Sequence, residues 1–305
     1  MKLERISKDL CGGRGLEMKQ RTIMKNIDCF QIDQILESGQ VFRFTKIAPS
    51  QYFLIVKERA IQIEQKGDTI YIDNMSLGKS DDKWLSYFDI NTDYSCITRL
   101  LSQKDDFMKK AIEFGKGIRL LRQDPWEMLI SFIISQNKSI PQIKQCISNI
   151  CTRFGTKVTD QSDNILYYTF PSIEQLKEAS EDELRACKVG FRAPYIVDAA
   201  KRVYQKNIVL DTLFNISADD ARKELMSIKG VGPKIADCIL LFAYAKGEVF
   251  PTDVWIKRVV EHIYFKGEDT KLKTIQEFAK EYFGAFAGYA QQYIFFYGRE
   301  NKLFI

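Results

Sequence analysis

The chain has 305 residues, 45% of them hydrophobic and 28% charged, which is enough for a globular protein of about two or three subdomains. Its net charge of +5 and pI near 8.6 suit a nucleic-acid partner without requiring one. His262 is the only histidine, which excludes zinc sites built on several histidines; the seven cysteines show no C-x-x-C pair, and their odd number argues against a fully paired secreted framework.

A cytoplasmic location and no metal are the resulting expectations. No apolar run reaches membrane-spanning length, and the N-terminus lacks the apolar core of a signal peptide. Residues 1–23 read as an extension, with a polar, glycine-rich run at Cys11-Gly12-Gly13-Arg14-Gly15. Either translation begins at Met18 or Met24, or the segment is a short disordered basic arm that touches DNA.

From about 25 to 75 the sequence alternates in strand fashion. Ile61 and Ile63 face one way against Gln62 and Glu64, and Lys66-Gly67-Asp68 turns into Thr69-Ile70-Tyr71-Ile72, which predicts an antiparallel hairpin. With flanking helices this gives an antiparallel β-sheet domain over 24–115. After about Asp81 the signals are helical almost to the end, giving a helical domain over 116–305. Asp124-Pro125 reads as N-cap and first-turn residue, Ser172 with Gln175 and Ser180 with Glu183 as capping boxes, and Ser217 with Asp220 as the acidic form. A sheet followed by many short helices is an α+β arrangement.

Residues 226–258 carry the chemistry. In Ile228-Lys229-Gly230-Val231-Gly232-Pro233, the glycines at 230 and 232 permit φ > 0 and leave no Cβ to hold a phosphate away, and Pro233 suits the first turn of the next helix. The amides at that helix start can accept an anion. This is a helix-hairpin-helix pattern, placed near 220–245, that grips DNA backbone without reading sequence. By itself it leaves Lys234 as a phosphate contact. Cys238, four residues on, shares a helix face with Lys234, and Asp253 follows Phe250-Pro251-Thr252 at the start of another helix. A nucleophilic lysine and an acid at this spacing resemble the core of the helix-hairpin-helix DNA glycosylases that also cut the strand. The plainer role of Asp253 is to cap the helix that begins at Val254.

Five further segments keep their order over roughly residues 25 to 300: Ser38-Gly39-Gln40-Val41-Phe42-Arg43-Phe44, Gln123-Asp124-Pro125, Ser135-Gln136-Asn137, Gly190-Phe191-Arg192-Ala193 and Ala287-Gly288-Tyr289-Ala290-Gln291. Together with the hairpin they resemble 8-oxoguanine DNA glycosylase of the eukaryotic type. The resemblance implies two helical subdomains with the active site in the cleft between them, a monomer, and double-stranded DNA containing oxidised guanine as partner. It also implies no cofactor: no cysteine follows Cys238, whereas endonuclease III-like relatives carry four for a cluster near the C-terminus.

The resemblance assigns Lys234 as nucleophile and Asp253 as the acidic partner that stabilises a cationic sugar. Cys238 and Phe295 would flank the flipped base, Gln291 would bind its Watson–Crick edge, and the Gly39 carbonyl would meet N7–H of the lesion. Phe191 stands at a tyrosine wedge position, and Asn137 and Arg192 at positions that read the opposite cytosine. Phe295 could equally be core, Phe191 a buried aromatic and Gly39 a turn glycine. Two departures weaken the match: Gln142 replaces a second opposite-base arginine, and Trp255 replaces a phosphate-contacting histidine. Two competing readings stay open, a monofunctional glycosylase for alkylated bases and an inactive DNA-binding scaffold; borohydride trapping separates them from a Schiff-base enzyme.

Overall fold

The computed structural model describes residues 2–8, 19–74, 83–159 and 164–303. Strands β1 (Lys2–Lys8) and β2 (Lys19–Lys25) precede a short helix, α1 (Ile32–Glu37), and four strands: β3 (Phe44–Ala48), β4 (Gln51–Val56), β5 (Arg59–Lys66) and β6 (Thr69–Asn74). These form one antiparallel sheet in the order β1-β2-β6-β5-β4-β3. Tyr52 and Leu54, Ile61 and Ile63, and Ile70 and Ile72 are buried at every second position, as a pleated strand with one covered face requires. The expected hairpin is present. Lys66 pairs with Thr69, and Gly67 turns the chain at φ +59°.

Two details differ from the sequence reading. Helix α1 interrupts the strand-like stretch, because Ile32, Ile35 and Leu36 recur at helical spacing and bury against the sheet. The sheet also begins before residue 24. Strand β2 lies partly inside the expected extension: Met24 pairs with Ile70, and Arg21 holds both carboxylate oxygens of Asp73 at 2.6 and 2.5 Å. Strand β1 pairs along its other edge. The Cys11–Gly15 run and Asp81 lie outside the described residues.

Helices α2 (Lys83–Tyr87), α3 (Tyr94–Ser102), α4 (Asp106–Phe114), α5 (Pro125–Ser135) and α6 (Ile140–Phe154) follow. A small hairpin, β7 (Lys157–Thr159) and β8 (Ile165–Tyr168), breaks the helical run. Its aromatic content explains the departure: Tyr167 packs on Phe53 of β4 at 6.2 Å and donates to the Glu58 carbonyl, docking the hairpin on the sheet. The remainder is helical, with α7 (Ile173–Lys177), α8 (Glu181–Ala186), α9 (Ala193–Tyr204), α10 (Ala218–Met226), α11 (Pro233–Tyr244), α12 (Val254–Tyr264), α13 (Leu272–Phe283) and α14 (Ala287–Glu300).

The caps read from the sequence are made. The side chains of Asp124, Ser172, Ser180 and Ser217 accept from the backbone N–H groups of Glu127, Gln175, Glu183 and Asp220. One hydrophobic core lies between the sheet, α1 and the Trp84–Phe88 aromatics, and a larger one fills the helical part. Among the described residues, no helix is long and apolar enough to cross a membrane.

Candidate active site

Helix α10, the turn at 227–232 and helix α11 form the hairpin. Gly230 sits at φ +81°, and a Cβ there would lie 2.3 Å from the Tyr195 ring, so both conformation and space demand glycine. Gly232 is different. Its φ is −92°, so the expected need for positive φ does not hold there; a Cβ would meet open space. Absence of bulk is what glycine gives at this helix start. A buried ion pair ties the two helices: Arg222 Nε donates to Asp237 Oδ1 at 2.6 Å, with Asp237 only 2% exposed. Burial raises the Asp237 carboxyl above its ordinary range, against the opposing pull of Arg222.

Lys234 lies in the first turn of α11, half-buried, with its ammonium 5.7 Å from the centroid of Phe132 on α5. Cys238, one turn on, is 5% exposed, and burial pushes its thiol up to about 11 against the influence of Lys234. It is a packing surface rather than a thiolate. Asp253 caps α12, its Oδ1 accepting from Ile256 N–H at 2.8 Å. Lys234, Cys238 and Asp253 face one cleft of about 730 Å³, which Gly39, Gln291 and Phe295 also line.

The opposite wall is built by α14 and the turn after α1. Gln291 is 6% exposed and its Oε1 has no hydrogen-bond partner among the described residues, leaving an acceptor in the cleft wall. Phe295 is half-buried and meets Trp255 edge-on at 5.6 Å. Gly39 sits at φ +89° between buried Ser38 and Gln40. The Gln40 amide donates to the carbonyls of Ile35 and Arg119 and accepts from Leu121 N–H, while Gln123 Nε2 donates to the Gln40 carbonyl at 2.8 Å. Two sequence motifs far apart in the chain thus form one hydrogen-bonded frame under the cleft.

The remaining residues divide. Asn137 follows α5, exposed, at φ +48°. Phe191 projects from a 3₁₀ turn and is 53% exposed, so it is not a core aromatic. Arg192 is 4% exposed and stacks its guanidinium 4.2 Å from the Phe191 ring centroid; its Nε has no partner among the described residues. Two expected DNA contacts each have one polar atom bonded within the protein. Gln142 is the third residue of α6 and its Oε1 accepts from Ser139 N–H at 3.0 Å, a reciprocal cap that local geometry offers any glutamine at that position. The Trp255 indole N–H donates to the Leu303 carbonyl at 3.2 Å and its ring fills the space left by Gly298, so the Trp255 side chain is a wall that pins the C-terminal segment, and its indole is not available to a phosphate.

Phe132, Arg222, Asp237, Gln292 and Arg299 were not singled out from the sequence. The signal for the last two was their placement on α14 at spacings that share a face with Phe295. Among the described residues, no three His, Cys, Asp or Glu side chains converge as a metal centre. The cleft instead offers an amine, a carboxylate, a free acceptor and an aromatic face.

Comparison with known proteins gives the arrangement a family. The description "8-oxoguanine DNA glycosylase, N-terminal domain" matches residues 22–129, and "HhH-GPD superfamily base excision DNA repair protein" matches residues 130–283. The chain is 34% identical over 236 residues to a probable N-glycosylase/DNA lyase of Methanothermobacter thermautotrophicus, spanning 71% of this chain and 74% of that protein. It resembles the solved structure of MBOgg1 in complex with a low-affinity DNA ligand, at TM-score 0.89 and 43% identity over 99% of this chain and 100% of that one. A Clostridium acetobutylicum 8-oxoguanine glycosylase/lyase, in complex with double-stranded DNA containing cytosine opposite 8-oxoG, gives TM-score 0.87 and 38% identity over 93% and 96% of the two chains. Likeness therefore extends through the sheet, the hairpin and the cleft alike, and the chain belongs to the 8-oxoguanine DNA glycosylase family of helix-hairpin-helix base-excision-repair enzymes, as a DNA N-glycosylase with DNA lyase activity.

Proposed function

We propose that this enzyme extrudes 8-oxoguanine from duplex DNA, excises it through a covalent Lys234 intermediate and nicks the strand by β-elimination. The observation that carries this reading is the convergence of Lys234 and Asp253 with Gly39, Gln291 and Phe295 on one cleft. Extrusion costs a few kcal/mol. Phe191, exposed beside Arg192 with its partnerless Nε, suits a wedge that fills the vacated stack while Arg192 and Asn137 donate to the base left behind. In the cleft, Phe295 and Cys238 flank the purine, and the free Gln291 Oε1 accepts from its N1–H and N2–H donors. The 8-oxo group puts a hydrogen on N7, where guanine has a lone pair. A fixed Gly39 carbonyl then accepts from the lesion and opposes the normal base, a difference on the order of 1 to 3 kcal/mol.

Chemistry follows. The neutral Lys234 Nζ attacks C1′ and the C1′–N9 bond breaks with its electrons leaving on the base. The amine loses a proton as the sugar ring opens to a Schiff base, a 2′ proton departs, and the 3′ phosphate leaves. Water then releases the lysine. Asp253 stabilises positive charge on the sugar in the first step. Borohydride reduction during reaction with an 8-oxoguanine duplex tests the proposal: a covalent protein–DNA product is expected, and release of free base without trapping would mean a monofunctional enzyme.

The hairpin contributes grip without sequence reading, so affinity for lesion and undamaged duplex should fall steeply with salt. Gly232→Val is the clean probe, since the backbone there is extended and the space open. Binding to both duplexes should weaken about tenfold or more, as loss of a charge-assisted phosphate bond implies, with the melting temperature retained. A weakening confined to lesion DNA would place Gly232 in base recognition instead.

Opposite-base selectivity should be weak. Gln142 offers no guanidinium fork and its amide oxygen is held by its own helix start. Single-turnover excision should therefore differ little among duplexes with C, A, G or T opposite the lesion, with a residual preference for C from Asn137 and Arg192. Gln142→Arg should restore discrimination by roughly 1 to 3 kcal/mol per bidentate contact, while loss of the reciprocal cap costs under about 1 kcal/mol of stability. Unchanged rate ratios in the variant would remove position 142 from the opposite-base site.

A further inference from the structure

The turn that carries Gly39 is held on both sides. Arg299 Nη2 donates to the Glu37 carbonyl at 2.6 Å, Gln292 Nε2 to the Ser38 carbonyl at 3.0 Å, and Gln123 Nε2 to the Gln40 carbonyl at 2.8 Å. No donor among the described residues reaches the Gly39 carbonyl between them. Contacts at Gly39 are close: a Cβ would lie 3.1 Å from Phe295 Cε1 and 3.2 Å from Arg299 Nη1. Gln292, Phe295 and Arg299 stand on one face of α14, and the Arg299 guanidinium lies 5.5 Å from the Phe295 ring centroid. One helix therefore bears Gln291 and Phe295 and also grips the backbone of the facing turn.

We propose that Gln292 and Arg299 are positioning residues for lesion specificity: by fixing the carbonyls of Glu37 and Ser38 they set the direction of the Gly39 carbonyl and its distance from the base held by Gln291 and Phe295. The inference rests on the reading that the Gly39 carbonyl meets N7–H of 8-oxoguanine. An acceptor distinguishes a donor from a lone pair only while its direction is fixed; a peptide able to rotate would turn its carbonyl from guanine and offer its N–H instead. The supporting shell thus decides how well the contact discriminates. Glycine at φ +89° adds no side-chain restraint of its own, so the restraint must come from neighbours.

The test uses the full chain in a Lys234→Gln background, with equilibrium binding to three duplexes that carry 8-oxoguanine, guanine or an abasic site at one position. Gln292→Leu with Arg299→Met removes both donors. The ratio of affinities for 8-oxoguanine over guanine should drop about tenfold, and the loss for 8-oxoguanine should exceed any loss for the abasic duplex, which presents no base. Arg299→Lys, which keeps one donor nitrogen, should recover part of the ratio when Gln292 is intact. If the parent protein fails to separate 8-oxoguanine from guanine, the Gly39 reading itself falls. If the parent discriminates and the double variant discriminates equally, the reading stands and the positioning role is overturned. Equal losses on all three duplexes would also overturn it, marking a general structural role. Should the double variant not hold the abasic duplex at all, Gln292→Asn, one methylene too short to reach Ser38, reads the same ratio.

Discussion

Lys234→Gln should abolish base excision and borohydride trapping together, a loss of about 10⁴-fold or more as for other covalent catalysts stripped of the nucleophile, while binding to lesion duplex survives. Glutamine keeps much of the reach across the Phe132 face but has no basic amine, so C1′ attack and Schiff-base formation fail at one atom. Binding should persist because the hairpin amides and the cleft walls are untouched. The measurement pairs single-turnover excision with an affinity titration on the same duplex. Near-normal turnover would show that another amine acts. Loss of binding with normal chemistry at saturating protein would reduce Lys234 to a phosphate contact.

Asp253→Asn should slow excision by about a hundredfold or more if charge stabilisation of the sugar is its main role, with little change in melting temperature. The substitution separates two functions held by one side chain. Asp253 accepts from Ile256 N–H at the start of α12, and asparagine caps a helix as well as aspartate does. Only the negative charge facing the cleft is removed. Asp253→Ala should lose the same activity and a further ~1 kcal/mol of stability with the cap. A sharp fall in melting temperature with near-normal activity per folded molecule would make Asp253 a cap alone.

Much of the site was legible because its residues are bound to local backbone requirements. Gly230, Pro233, and the caps at Asp124, Ser172, Ser180 and Ser217 each satisfy a rule that acts over a few residues, whereas Gly232 does not take the positive φ expected of it; all the caps form. Gly39 was found through a motif. The reason that motif holds together, Gln123 reaching the Gln40 carbonyl across 83 positions, emerges only in three dimensions. Helix α1 was hidden in a strand-like context because six residues give too few turns for periodicity to speak. Gln142 was read through a family position, while its own helix start had a nearer use for its amide. Trp255 likewise acquired its partner from Leu303, 48 positions away. Gln292 and Arg299 share a helix face with Phe295, but the carbonyls they hold lie at the other end of the chain, so spacing alone does not reveal what they do.

The partnerless polar atoms of Gln291 and Arg192 have a thermodynamic meaning. Each is buried without a hydrogen-bond partner among the described residues, so a bound group that supplies one would gain an interaction that the fold itself leaves unmade. On the reading proposed above, an extruded purine offering N–H donors and an orphaned pyrimidine offering acceptors would each supply the missing partner.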